Sequence, residues 1–258
     1  MKIVEHFLTR NRCYQAAKQN TKGGLMLHSV GCPQPSAQVF VNSWNSADKS
    51  VCVHAFIDAN TGDVYQTLPW EYRGRHCGSG PNGSGNNTHI GVEMCEPACI
   101  RYTGGARFTC SNVEEARAAV RRTYESAVQL FAELCERFRL DPLTDGVILS
   151  HEEGHKRGIA SNHGDPVHLW DQLNMGYTMD EFARPRADSL RALTQMNNTI
   201  ATKGFVSVDD ITVEKDDSLA KNMLNVYLIG SNIHSNLVDT DYMTPFTARN
   251  KKQSIERK

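Results

Sequence analysis

Residues 146–165 read GVILSHEEGHKRGIASNHGD. Two readings compete for this stretch, and each implies a different fold. In the first, HEEGH (151–155) is an H-E-x-x-H metal site, which works only where His151 and His155 stand one turn apart on a helix face. In the second, the apolar run before His151 is a strand, and His151 is the polar residue at its end. The surroundings favour the second. Gly154 and Gly158 weaken a helix, and no helical turns precede His151 to carry the motif. The segment is therefore read as a strand that runs into an irregular loop.

Comparable runs lie upstream. GLMLHSV (24–30) is a short apolar segment ending in polar residues, read as a buried strand. VCVHAFID (51–58), a turn over 60–63 and VYQTLP (64–69) form a hairpin. HIGVEMCE (89–96) is a further strand, preceded by GRHCGSGPNGSGNN (74–87), whose composition demands a loop. Ser111 and Glu114 make an S-x-x-E capping box that opens a helix to about Arg139, with Val113, Ala116, Val120, Ala127, Phe131, Leu134 and Phe138 as its apolar stripe. Asp141 and Pro142 stop it. Strands surrounding a long helix predict an α/β fold with a central mixed β-sheet flanked by helices. That domain is placed at 1–175. Residues 176–258 are read as a helical linker around Pro185 and a small C-terminal appendage.

His28 and His151 then each end a strand. Neighbouring strands lie about 4.8 Å apart, so two imidazoles at one end of a sheet can share an ion. Asp165 supplies a third ligand from the loop before the next helix. Two imidazoles and one carboxylate suit Zn²⁺ and leave a fourth position for water, the pattern of catalytic zinc sites. Each histidine taken alone reads equally well as a hydrogen-bonded strand-end residue.

The bulk numbers narrow the function classes. The chain has 258 residues, 40% hydrophobic and 22% charged, with a formal net charge of −1. An ordinary core is expected, and no broad basic field exists to hold nucleic acid. No apolar stretch approaches the roughly 20 residues that cross a bilayer, so no membrane span is expected. The opening MKIVEHFLTRNR is interrupted by Glu5 and His6 and is not read as a signal peptide. Synthesis in the cytoplasm is expected, and with it mostly free thiols for the eight cysteines, which include no C-x-x-C pair.

The blocks LMLHSVG, CVHAFID with TGDVYQTLP, RHCGSGPNGSGNNTHIGVEMCEP, and SHEEGHKRGIASNHGDP occur in that order over about 1–175. Together they resemble the zinc N-acetylmuramoyl-L-alanine amidases of the amidase type 2 / peptidoglycan recognition protein family, in its phage endolysin and autolysin branch. The resemblance implies one Zn²⁺ per chain on His28, His151 and Asp165. It implies Glu93 as general base and His163 as the group that stabilises the oxyanion, with orientation of Asp165 as the alternative for His163. The substrate it implies is bacterial peptidoglycan, cut at the amide between N-acetylmuramic acid and L-alanine. His54 and Tyr65 in the hairpin, and His76 and Asn86 in the Gly-rich loop, are candidates for substrate contact or for structural roles. The family's W-H-A-G segment stands here as Arg75-His76-Cys77-Gly78, without its Trp and Ala.

Two other functions stay in view. A peptidoglycan-binding module without activity would have lost a ligand, whereas all three positions are filled. An H-E-x-x-H protease would need His155 and dispense with His28. Lacking an export signal, a wall-lytic enzyme is expected to act after release from the cytoplasm. The segment 176–258 is expected to bind wall or to form a homodimer contact.

Overall fold

The chain divides into the units Met1–Arg186 and Ala187–Lys258. The computed structural model describes residues 1–184. The expected helix through Pro185, the appendage and the wall-binding or dimer contact lie outside the described residues.

In chain order the elements are β1 (Ile3–Glu5), α1 (Arg12–Ala16), β2 (Gly24–Ser29), α2 (Ala37–Trp44), β3 (Ala55–Ile57) and β4 (Val64–Gln66). After a 3₁₀ turn at Gly85–Asn87 come β5 (His89–Met94), β6 (Ile100–Gly104), β7 (Arg107–Cys110), α3 (Val113–Phe138), β8 (Ile148–Ser150), α4 (His151–Lys156) and α5 (Val167–Gln172). The main sheet has 6 strands in the order β1-β4-β3-β5-β2-β8. Only the β3–β4 hairpin is antiparallel; every other pair is parallel. The mixed sheet expected from the sequence is therefore present. Strands β6 and β7 form a separate hairpin.

The centre of the sheet explains its sequence. A parallel strand covered on both faces reads as a continuous apolar run, and every residue of β2 is buried. Strand β5 pairs with β2 in a register that sets Met26 beside Gly91 and His28 beside Glu93. Strand β8 flanks β2 on its other side, with Leu27 opposite Ser150. His28 and His151 therefore emerge at the same sheet edge, one strand apart.

Helix α3 buries Ala116, Val120, Ala127, Phe131 and Leu134, as its periodicity predicts, but Val113 in its first turn is exposed. Its cap lies one residue beyond the expected one. Asn112 accepts from the Glu115 N–H, while Ser111 Oγ donates to the Cys99 carbonyl. The helix ends at Arg139, which adopts the left-handed conformation and donates its N–H to the Cys135 and Glu136 carbonyls. The packed unit runs past the expected boundary at 175. Phe182 is fully buried, with its ring 5.3 Å from Phe131 and 5.4 Å from Tyr124.

The β3–β4 turn shows how one side chain organises two elements. Asp58 Oδ1 accepts from the Asn60 and Thr61 N–H groups, and Oδ2 accepts from the Ala37 N–H at the start of α2. The Ser36 side chain, which precedes α2, makes no capping bond, so Asp58 satisfies that helix end instead. No helix among the described residues is long and apolar enough to cross a membrane.

Candidate metal centre

HEEGH does form a helix, contrary to the expectation of an irregular loop. Ser150 caps α4 by accepting from the Glu153 N–H, and Glu153 returns the bond to the Ser150 N–H. This reciprocal box satisfies two end donors and lets a six-residue helix start directly from β8. Gly154, which argued against the helix, is what permits its packing: a Cβ there would lie 2.8 Å from Met26 Cε and 3.2 Å from Ala160 Cβ. The two histidines of the motif nonetheless do not converge. His155 is exposed and its Nδ1 meets the Ala160 carbonyl at 3.3 Å.

His151 turns instead toward β2. Its Nδ1 lies 3.0 Å from His28 Nδ1 and 3.3 Å from Asp165 Oδ1, and His28 Nδ1 lies 3.2 Å from Asp165 Oδ2. Ligands on a tetrahedral ion with bonds of about 2.0–2.1 Å stand roughly 3.3 Å apart. The two imidazole nitrogens stand about that far apart, each faces a different oxygen of Asp165, and one ligand atom per residue gives three donors within 4.8 Å of one another, close enough to share an ion. Both histidines are buried and Asp165 is largely so. Burial alone would raise the Asp165 pKa, but the His151 and His28 rings, which donate to it when they carry a proton and no ion is bound, pull it well below the usual carboxylate range. A bound cation relieves the repulsion between two imidazole lone pairs and a carboxylate packed this closely.

Hydrogen bonds behind the rings fix which nitrogens face the centre. A carbonyl can only accept, so His76 Nε2 donates to His89 O, at 3.2 Å. Burial, and then its neighbours His28 and His54, hold the His76 pKa well below 6.5, so the ring is neutral and Nδ1 is an acceptor. His28 Nε2 lies 2.9 Å from that nitrogen and must donate to it, which leaves the His28 lone pair on Nδ1, facing His151 and Asp165. His76 fits because its neighbour on β5 is glycine: a Cβ on Gly91 would lie 2.4 Å from its ring. On the other side, His151 Nε2 meets Ser161 Oγ and His163 Nδ1, each at 3.3 Å, and Ser161 Oγ also reaches the Cys77 carbonyl.

His76→Phe keeps a ring in the space but removes the acceptor. Affinity for a divalent ion is expected to fall about 10- to 100-fold, as for other losses of a ligand's supporting hydrogen bond. Competition with a chromophoric chelator measures this; an unchanged constant would show that His28 needs no such support.

Glu93 completes the group. It stands beside His28 in the parallel register, half-buried, and its Oε2 is buried with no hydrogen-bond partner among the described residues. Burial first, then Asp165 and Glu96, push its pKa well above the usual carboxylate value. His163 is exposed at the rim, against His151 and Ser161. Its hydrogen bonds go to those two residues and not to Asp165, so the alternative role of orienting Asp165 is corrected.

The four expected substrate contacts are placed otherwise. His54 is fully buried, donating from Nε2 to the Tyr72 carbonyl at 2.7 Å and accepting at Nδ1 from the Gly91 N–H at 3.0 Å, so neither ring nitrogen is left for a substrate. Burial lowers its pKa to about 4. Buried Asn86 staples the Gly-rich loop: Oδ1 accepts from the His76 and Cys77 N–H groups, and Nδ2 donates to Gly78 O. Tyr65 packs half-buried between two apolar clusters. His76 stands behind His28. Of the two readings given to these four residues, substrate contact or structure, these placements match the structural one.

A second polar network, not anticipated from the sequence, borders the site. Buried Glu96 accepts from the Gly31 N–H and from Tyr102 OH, and its pKa is raised to about 7, chiefly by burial. The Tyr102 hydroxyl in turn meets His168 Nε2 at 2.7 Å, which ties the β6–β7 hairpin to α5.

The family model described as N-acetylmuramoyl-L-alanine amidase matches residues 18–168, well over half of the chain and inclusive of every donor above. The chain belongs to this family. Among curated amidases, CwlA of a Bacillus species is 27% identical over 139 residues, 49% of this chain and 48% of its own length. CwlH of Bacillus subtilis (strain 168) is 51% identical over 35 residues, 14% of each chain. The chain thus spans about half the length, or less, of these amidases. Among solved structures, the Staphylococcus aureus hydrolase AmiA in complex with its ligand gives a TM-score of 0.52 at 17% identity, over 80% of this chain and 87% of that one. The PlyG catalytic domain gives 0.50 at 16% identity, over 72% and 93%. At these identities the likeness shows a shared amidase fold.

Proposed function

We propose that this amidase hydrolyses the amide between N-acetylmuramic acid and L-alanine in bacterial peptidoglycan, using one zinc ion per chain held by His28, His151 and Asp165. The observation that carries the reading is the convergence of three donors within 4.8 Å of one another, beside a carboxyl group whose Oε2 makes no hydrogen bond among the described residues. Family membership supplies the bond to be cut. A zinc ion held there supplies Lewis-acid chemistry, acidifying a water and polarising the amide carbonyl.

The chain's own residues do the rest. Glu93 takes the proton of the attacking water and delivers it to the leaving L-alanine nitrogen, so that the amine departs neutral. Burial, and then Asp165 and Glu96, raise its pKa above the usual carboxylate value, the direction that makes a carboxylate a stronger base. His28 and His151 hold their lone pairs inward through His76 and Ser161. His163, exposed beside His151, is the group within reach of the carbonyl oxygen from the rim, where a hydrogen-bond donor stabilises developing negative charge. The site of action is the bacterial cell wall, where the substrate lies.

Digestion of purified cell walls tests the reading. Free amino groups on L-alanine are expected to rise with time while reducing ends stay constant. New reducing ends would indicate a glycosidase, and binding to walls without either product would indicate a recognition module.

A further inference from the structure

Away from the metal centre, two cysteines meet beneath a cluster of cations. Asn11 brings them together. Its Oδ1 accepts from the Cys13 N–H at 2.9 Å, and its Nδ2 donates to the carbonyl of Val51, the neighbour of Cys52, at 3.0 Å. Cys13 in α1 therefore packs against the apolar cluster that contains Cys52, which is fully buried. Cys52 is bridged in turn to Arg75 through backbone bonds of 3.1 and 2.7 Å, and the Arg73 N–H donates to the Lys18 carbonyl. The outcome is a surface pocket lined by Arg12, Cys13, Lys18, Arg73 and Arg75. None of these four cations forms an ion pair among the described residues.

The geometry points to Cys13 as an oxidation site for hydroperoxides, with Cys52 as the resolving thiol that converts it to a disulfide. A reactive cysteine requires a partly exposed sulfur in an electropositive setting, and a redox pair requires a second thiol in contact. Cys13 is half-buried at the pocket and Cys52 lies beneath it. The hydrogen bond from Cys52, and then Arg73 and Arg75, lower the Cys13 thiol to about 7 against its burial. The Cys13 thiolate attacks one peroxide oxygen; the O–O bond breaks, and the other oxygen leaves and takes a proton as water or alcohol. Sulfur is oxidised by two electrons to the sulfenic acid and the peroxide is reduced. Cys52 sulfur then attacks Cys13 sulfur, the S–O bond breaks, and water leaves with the Cys52 proton as the S–S bond forms.

The molecule contains its own comparison. Cys99 and Cys110 also stand as neighbouring thiols beside the β6–β7 hairpin, where the Cys99 thiol donates to the Asn112 carbonyl. There burial, and then Cys110 and Glu115, raise the Cys99 thiol to about 11. Arg73 and Arg75 act on Cys13, whereas no cation stands among the groups that act on Cys99.

Treatment of the full chain with one equivalent of hydrogen peroxide at pH 7, followed by alkylation and peptide mapping, tests this. A Cys13–Cys52 cross-link, with a mass about 2 Da below that of the two free thiols, is expected before any Cys99–Cys110 cross-link. Cys52→Ser is expected to stop at a Cys13 sulfenic acid that dimedone traps. The surface double variant Arg73→Gln/Arg75→Gln, which leaves both thiols in place, is expected to slow the reaction roughly three- to fivefold. Cross-linking of Cys99–Cys110 first, equal oxidation of all thiols, or a rate unaffected by the arginine changes would overturn the assignment.

Discussion

Replacing Glu93 by glutamine is expected to lower the rate of wall hydrolysis by about 10²–10⁴, the usual contribution of a positioned general base, while zinc binding is retained. The expectation follows from position. Glu93 is no part of the donor triad, yet it sits beside His28 across the β2–β5 pair with one buried carboxyl oxygen unpartnered among the described residues. Glutamine has the same size and cannot carry a proton between water and leaving amine. Its amide adds little burial cost, because burial already favours the neutral form of the Glu93 carboxyl. Initial rates on purified walls, paired with zinc content, separate the two roles. A rate within a few-fold of the unaltered chain would remove Glu93 from the chemistry; loss of zinc would make it a ligand or a support of one.

The elements that carry this chemistry were legible to different degrees. GLMLHSV and HIGVEMCE stand out because central parallel strands are covered on both faces and need unbroken apolar sequence. The end of the first then located His28, while Glu93 in the second was implied by the family resemblance. Helix α4 was misread although its signal was present: Ser150 and Glu153 form a capping box, which a reading based on Gly154 and Gly158 left out of account. Only the packed structure shows that Gly154 admits the Met26 side chain. In α3 two adjacent residues can cap, and the choice of Asn112 follows from Ser111 being held by Cys99 O, a contact distant in sequence. The short β1, α1, α2 and the β6–β7 hairpin have too few residues to establish a period.

The site was legible as a set of ligands and illegible as a set of supports. Strand ends and a loop aspartate follow from pattern and resemblance. That His76 faces the back of His28, and not the substrate, depends on Gly91 leaving room beneath its ring and on the β2–β5 register. Neither is a property of local sequence. Ser161 and Tyr102 act through partners 10 and 66 residues away, so their own surroundings in the chain give no sign of them.

The second large effect concerns the ligands themselves. His28→Ala removes one of three donors and leaves His151 and Asp165 to hold an ion between them, so zinc affinity and hydrolysis should both collapse. His155→Ala removes an exposed ring whose one hydrogen bond goes to the Ala160 carbonyl, so both should persist. The metal-free forms of the two variants are expected to unfold at similar temperatures, which separates lost binding from lost structure. Zinc measured per chain after dialysis against a weak chelator decides the matter. About one ion in the unaltered chain and in His155→Ala, with almost none in His28→Ala, is the expected result for a three-ligand zinc site. Zinc retained by His28→Ala and lost from His155→Ala would contradict it and return the site to the HEEGH helix.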